Sequence, residues 1–192
     1  MDQLIRRLKN ESEYLGGGII KADSIINHQL DPDLTEEMGA EFARLFKESG
    51  VSGITRILTA EVSGIAPALT TARSFGVPMV FARKKKPKTM KEELFTSSAP
   101  SRTKDENVTL HVSSKYLKSD DRIIIIDDFL ATGHTIEALA SIVSKSGAML
   151  CGVGCVIEKV FEKGRNRLDS LGVPVITLAR VDVSSEDKIS IY

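Results

Sequence analysis

Between Arg122 and Thr135 the chain reads RIIIIDDFLATGHT. Four consecutive isoleucines leave no polar face, so the segment reads as a strand buried on both sides. Such a strand belongs inside a sheet that helices cover above and below. Two adjacent carboxylates, Asp127 and Asp128, then close the run. Small residues lead from them into HTIEALASIVSKSG, a helix stopped by Gly147. The carboxylates repel each other and gain nothing from the apolar run before them, so a polar ligand is expected above that strand end.

The rest of the chain repeats the alternation. ITRILTAE over 54–61, VPMVFAR over 77–83, MLCGVGCVIE over 149–158 and VPVITLAR over 173–180 read as strands. GIAPALTTARSFG over 64–76 and RNRLDSLG over 165–172 read as helices, and Val108, Leu110 and Val112 alternate with polar neighbours as one half-exposed strand. Before them come a short helix over 2–14 ended by the glycines at 16–18, an irregular IIKADSIINHQLDP, and an amphipathic helix. Asp33 and Glu36 read as that helix's capping box, Met38, Phe42, Leu45 and Phe46 as its inner stripe, and Gly50 as its stop. Strands alternating with helices give an α/β fold of the doubly wound class, a mostly parallel central sheet flanked by helices. At 192 residues the chain fits one domain, 1–192, with the segment to about 33 and the segment over about 84–113 as additions to it. Strand order is not fixed by the sequence.

Composition removes several functions. Lys+Arg and Asp+Glu both number 26, so no excess of positive charge is available to hold nucleic acid. No run approaches the roughly 20 apolar residues of a membrane span, and MDQLIRRLKN lacks the apolar core of a signal peptide. Cys151 and Cys155 stand four residues apart on a strand, roughly 13 Å and beyond disulfide reach. Two buried thiols suit a reducing compartment, and a cytoplasmic protein is expected. His28, His111 and His134 are too scattered for a metal triad.

Open α/β sheets bind ligands outside the carboxyl ends of their strands. In Ala131-Thr132-Gly133-His134-Thr135 the small residues let a ligand approach the backbone. The amides of a helix N-terminus, with its positive dipole end, accept a phosphate. The Thr132 and Thr135 hydroxyls add donors, and His134 is expected to contribute its backbone N–H, with the ring incidental. Carboxylates are poor phosphate ligands but good acceptors for a sugar diol, so acids beside a phosphate nest indicate a phosphorylated sugar. An ordinary βα turn would explain one acid, not two followed by such a nest. A Walker-type ATPase requires GxxxxGK[ST] and a dinucleotide site GxGxxG, and neither occurs.

IIIIDDFLATGHT resembles the phosphoribosyl-pyrophosphate (PRPP) signature of the type I phosphoribosyltransferases: apolar strand, two acids, apolar pair, then small-x-Gly-x-Thr. The resemblance implies that Asp127 and Asp128 hold the ribose hydroxyls and that Ala131, Thr132, Gly133, His134 and Thr135 cradle the 5-phosphate. Glu61-Val62-Ser63-Gly64 is a second strand end turning into a helix. The family carries its pyrophosphate loop there, which implies diphosphate at Ser63 and Gly64 with Arg83 and Lys84 beside it. Lys85 and Lys86 read as surface. The segment over about 84–113 then reads as a flexible lid, and the N-terminal segment as a small hood.

IIKADSIINHQLDP and GCVIEKVF, with SGIAP and FARK, are similar to the xanthine phosphoribosyltransferase branch over nearly the whole chain. That similarity implies base contacts at Ile20, Asn27 and Lys159, with Phe129 packed on the base. It implies transfer of the phosphoribosyl group from PRPP to xanthine, giving XMP and diphosphate in purine salvage. Mg²⁺ is expected to arrive with PRPP, with no metal cage in the protein, and a homodimer is expected from the family. The alternatives are a hypoxanthine/guanine phosphoribosyltransferase and a non-catalytic PRPP-sensing regulator. The latter usually adds a DNA-binding domain, for which the roughly 30 residues before the amphipathic helix show no basic recognition helix.

Overall fold

The structure is a computed structural model and describes residues 1–86, 92–100, 107–184 and 188–192. It opens with helix α1 (Asp2–Glu11), the short strands β1 (Glu13–Tyr14) and β2 (Ile20–Lys21), a π-helical turn over Asp23–Asn27 and helix α2 (Pro32–Glu48). There follow β3 (Arg56–Ala60), α3 (Ile65–Phe75), β4 (Met79–Ala82), β5 (Leu94–Pro100), β6 (Asn107–Ser113), β7 (Arg122–Leu130) and α4 (His134–Ser146). The chain ends with β8 (Met149–Lys159), α5 (Gly164–Leu168), β9 (Val175–Val183) and β10 (Ile189–Ile191).

Six strands form the main sheet in the order β10-β9-β8-β7-β3-β4. β4, β3, β7, β8 and β9 are parallel, and β10 is antiparallel to β9 at one edge. The parallel strands therefore run in the flavodoxin-like order, whose direction of winding reverses between the first and third strands. Here those strands are β3 and β7, and a ligand crevice is expected at their carboxyl ends.

The isoleucine run divides between two cores. Ile124 and Ile126 pack with Phe42 and Phe46 of α2 and Ala68 and Ala72 of α3, while Ile123 and Ile125 pack with Leu139, Ile142 and Val143 of α4. All four isoleucines are fully buried. Successive side chains on a strand point to opposite faces, so a run with no polar position is what two covered faces demand. β8 contributes Gly152 and Gly154 on the α2 side, where an added Cβ would lie 2.5 Å from the Phe46 ring and 2.8 Å from the Phe42 ring. These glycines let α2 lie close on the sheet.

Several boundaries differ from the sequence reading. α1 ends at Glu11, and Gly16, Gly17 and Gly18 instead form the turn of the β1–β2 hairpin, all at positive φ. α2 is capped by Asp31, whose Oδ1 accepts from the N–H groups of Asp33 and Leu34 at 3.1 Å, not by an Asp33–Glu36 box. Pro32 takes the first helical position, where a missing N–H costs nothing, and so moves the cap back. Met38, Phe42 and Phe46 are buried as expected, and Leu45 is half-buried. In the 84–113 segment, β5 and β6 pair antiparallel as a hairpin, of which only β6 was expected. Residues 87–91 and 101–106 of the expected lid lie outside the described residues.

Candidate active site

β7 outruns its neighbour. Its pairing with β3 stops at Leu58↔Ile125, whereas pairing with β8 continues to Leu130↔Glu158. Asp127 and Asp128 therefore lie within the strand, three and two residues before its end, and not at its end as the sequence suggested. One edge of this overhang is held by β8. Beside the overhang opens a cavity of about 430 Å³ lined by Asp127, Asp128, Phe129, all of Ala131 to Thr135, and Lys159. Ile20 and Asn27 close it from the N-terminal segment, and Ala99, Pro100, Val108 and Leu110 from the β5–β6 hairpin.

A second cavity of about 110 Å³ adjoins it, walled by Glu61, Val62, Ser63 and Gly64. Lys84, Asp127, Asp128 and Thr135 line both. These four form the junction where a group bridging the two cavities would sit. Gly64 is required by close approach, since an added Cβ would overlap Thr59 Oγ1 and lie 2.9 Å from Asp127 Oδ1. The Glu61–Val62 peptide is cis.

The turn into α4 presents main-chain N–H groups to the cavity. Gly133 occupies the left-handed region at φ 83, and no side chain caps the helix N-terminus. The first amides of α4 are thus left for a ligand to satisfy. Thr132 Oγ1 lies 2.9 Å from His134 Nδ1, so the ring fixes the threonine hydroxyl and is not incidental. From below, Gly164 packs so closely that a Cβ there would lie 2.8 Å from the Ala131 carbonyl carbon and 2.9 Å from Gly133 N. Arg167 Nε donates to Thr132 O at 3.0 Å.

Asp127 is 6% exposed and Asp128 half-buried. The Asp128 N–H donates to Asp127 Oδ1 at 3.0 Å, and the Phe129 N–H to Asp128 Oδ1 at 2.9 Å. Burial, and then the neighbouring Asp128 charge, push the Asp127 carboxyl well above the usual range. The first acid is therefore a group whose charge is costly until a ligand supplies partners.

Glu61 accepts the Lys84 N–H at 2.7 Å through Oε1 and pairs with Arg83 Nε at 2.6 Å through Oε2. Lys84 is held at the junction as a result. Arg83, expected beside it, lines neither cavity; its guanidinium lies on Glu61 and over the Phe81 ring. Lys85 and Lys86 are exposed, as expected of surface lysines.

At the other end of the site Lys159 is buried, with Nζ 5.1 Å from the centre of the Phe129 ring. It donates to Gly18 O at 2.8 Å and lies 3.9 Å from Glu162. Glu158 points to the opposite face of β8. Both its oxygens accept from Arg165, at 2.8 and 2.6 Å, and it also meets Thr177 and Arg180. Burial alone would raise its pKa, but these partners outweigh burial and lower it. Glu158 thereby ties α5, with Gly164 and Arg167, beneath the turn of Ala131 to Thr135. Sequence reading missed Glu158, Gly164 and Arg167, of which only the glycine in KGRNR offered a signal, and it placed Glu61 in its loop without its bonds to Arg83 and Lys84. Among the described residues no group of three or more His, Cys, Asp or Glu side chains could hold a metal ion.

Comparison with known proteins finds the phosphoribosyl transferase domain over residues 36–183. A xanthine phosphoribosyltransferase of Deinococcus deserti is 54% identical over 94% of this chain and 92% of its own. One from Bacillus licheniformis is 45% identical over 99% and 96%. Among solved structures, the adenine phosphoribosyltransferase of Saccharomyces cerevisiae superposes with a TM-score of 0.74 at 24% identity, covering 93% of this chain and 99% of that one.

Proposed function

This chain belongs to the phosphoribosyl transferase domain family, and on that premise we propose that it is a xanthine phosphoribosyltransferase, joining xanthine to the phosphoribosyl group of PRPP to give XMP and diphosphate. The observation that carries the reading is the junction: Lys84, Asp127, Asp128 and Thr135 line both cavities. A sugar diphosphate has its reacting carbon between a diphosphate and a ribose phosphate, and here the two anion pockets meet at a pair of carboxyl groups.

In this reading the 5-phosphate sits on the amides of Ala131 to Thr135 and the diphosphate beside Ser63, Gly64 and Lys84. The ribose hydroxyls donate to Asp127 and Asp128. The base packs on Phe129 between Ile20, Asn27 and Lys159. A purine nitrogen lone pair forms the bond to the anomeric carbon as the bond to diphosphate breaks. That bond's electron pair leaves with the diphosphate, and the ring N–H proton that xanthine gives up passes to the departing diphosphate or to water. Positive charge develops on the sugar ring, and carboxylates beneath it oppose that charge more in the transition state than in the ground state. Lys159 and Asn27 supply N–H donors to a base with two oxo oxygens. Mg²⁺ enters with PRPP as part of the substrate, on its diphosphate and ribose oxygens.

The enzyme acts, in this reading, as a cytoplasmic homodimer. Both cysteines are free thiols, which suits a reducing compartment. Val62, Leu69 and Phe81 are exposed apolar side chains in or beside the loop, helix and strand at the β4 edge of the sheet, and light scattering tests the assembly. The activity is tested by incubating purified protein with Mg²⁺, PRPP and xanthine, hypoxanthine or guanine separately. XMP formation with the highest kcat/KM is expected for xanthine. Absence of XMP, or a preference for either other base, would overturn the assignment.

A further inference from the structure

Lys159, read above as the group that addresses the base, has a partner that belongs to the hood. Its Nζ donates to the main-chain oxygen of Gly18, 141 positions away in sequence. An ammonium buried this far needs acceptors, and this one is delivered by an unusual turn. Gly16, Gly17 and Gly18 stand consecutively at φ 81, 57 and 77, conformations that L side chains rarely adopt. The turn is closed by Ile19 N–H on Gly16 O at 3.0 Å, and Gly18 N–H reaches the Tyr14 phenol oxygen at 3.3 Å. Directly after it, β2 carries Ile20, and the π-helical turn carries Asn27, both on the cavity wall.

We infer that the Gly18 carbonyl is a positioning group for base recognition: it fixes the Lys159 ammonium beside Phe129 and, through the same hydrogen bond, docks the hood. Reading the base and docking the hood are then one equilibrium. This rests on the purine phosphoribosyltransferase reading and adds the device that aims its specificity residue. An ammonium has donors and no acceptor. Held at a fixed place, it accepts a base edge that presents an oxo oxygen and opposes one that presents an amino group. By linkage, a base that favours the fixed ammonium also favours the docked hood.

Gly17 gives a clean test, because a Cβ there meets nothing within 4 Å. An added Cβ therefore changes the backbone preference of the turn without a clash. Gly17→Val disfavours the left-handed conformation, whereas asparagine tolerates it. Gly17→Val is expected to raise the KM for xanthine roughly tenfold and leave the KM for PRPP unchanged. It should also speed amide hydrogen exchange over residues 13–27 in the base-free enzyme. Gly17→Asn is expected to return both readouts close to wild type. Lys159→Met should speed the same hood exchange without any substrate present. An unchanged xanthine KM in Gly17→Val, or hood exchange unmoved by Lys159→Met, would overturn the inference. Failure of the wild-type protein to turn over any purine would instead sink the functional reading, and the exchange measurement would still decide whether the latch exists.

Discussion

At the scale of single residues, the two adjacent acids have different environments and therefore different predicted phenotypes. Asp128 is half-buried and faces both cavities, and its Oδ1 already accepts the Phe129 amide. Asparagine keeps that acceptor, so Asp128→Asn should fold with nearly unchanged stability while losing on the order of 10²–10³ in kcat. Steady-state kinetics beside a thermal melt checks both halves. Asp127 is enclosed, and its pKa is raised by burial and by Asp128. A raised folded-state pKa means that the stability the group contributes is fully present below about pH 4, its unfolded value, and is lost as pH rises through the folded value. Asp127→Asn should remove that loss, leaving the ligand-free variant more stable than wild type at pH 8 and its stability flatter with pH. Its activity should still fall. Denaturant melts from pH 5 to 9 test this, and a wild-type stability that rises over the range would contradict it.

At the scale of elements, the end of β8 serves both halves of the site. Lys159 lines the larger cavity, while Glu158 faces α5 and holds Arg165 and Arg180. α5 in turn supports the turn of Ala131 to Thr135 through Gly164 and Arg167. Glu158→Ala should therefore cost about 2 kcal/mol, toward the lower end for a buried pair because Arg165 and Arg180 keep access to water. The KM for PRPP should rise more than that for xanthine. Because the Glu158 pKa is lowered, the wild-type contribution is present above about pH 4 and lost as pH falls through the lowered value. This network was illegible in the sequence, where Glu158 is one letter of VIEK and its partners lie up to 22 positions away. What was legible is what local pattern determines: the isoleucine strand, the small-residue turn and the helix after it. β7 runs past the acids because β8 continues to pair with it, a non-local cause. LFTSSAP becomes a strand only through its pairing with β6. Arg83 was placed beside the diphosphate by the family resemblance, but the carboxylate that takes its guanidinium stands at the end of another strand.

For the whole molecule, function follows from where the winding of the sheet reverses. β3 ends in the loop of Glu61 to Gly64 and β7 in the turn of Ala131 to Thr135, so the switch point brings the two cavities together. The N-terminal segment closes one side of the larger cavity with Ile20 and Asn27 and is tied at its back as well as at Gly18. Arg7 donates to Glu11, to Asp31 at the cap of α2, and to Ser24 O in the π-helical turn. Hydrogen bonds from Arg7 and then Ser24 hold the Glu11 carboxyl at about 2. Its contribution is thus present above the ordinary glutamate range and lost as pH falls through about 2. Arg7→Ala should loosen this segment and raise the KM for xanthine severalfold with little change for PRPP, a split that initial-rate kinetics resolves. The most direct test of the account as a whole is a crystal structure with PRPP and Mg²⁺ bound. The 5-phosphate is expected on the amides of Ala131 to Thr135, the ribose hydroxyls on Asp127 and Asp128, and the diphosphate beside Ser63, Gly64 and Lys84. PRPP bound elsewhere, or with its two phosphate ends exchanged between the cavities, would contradict it.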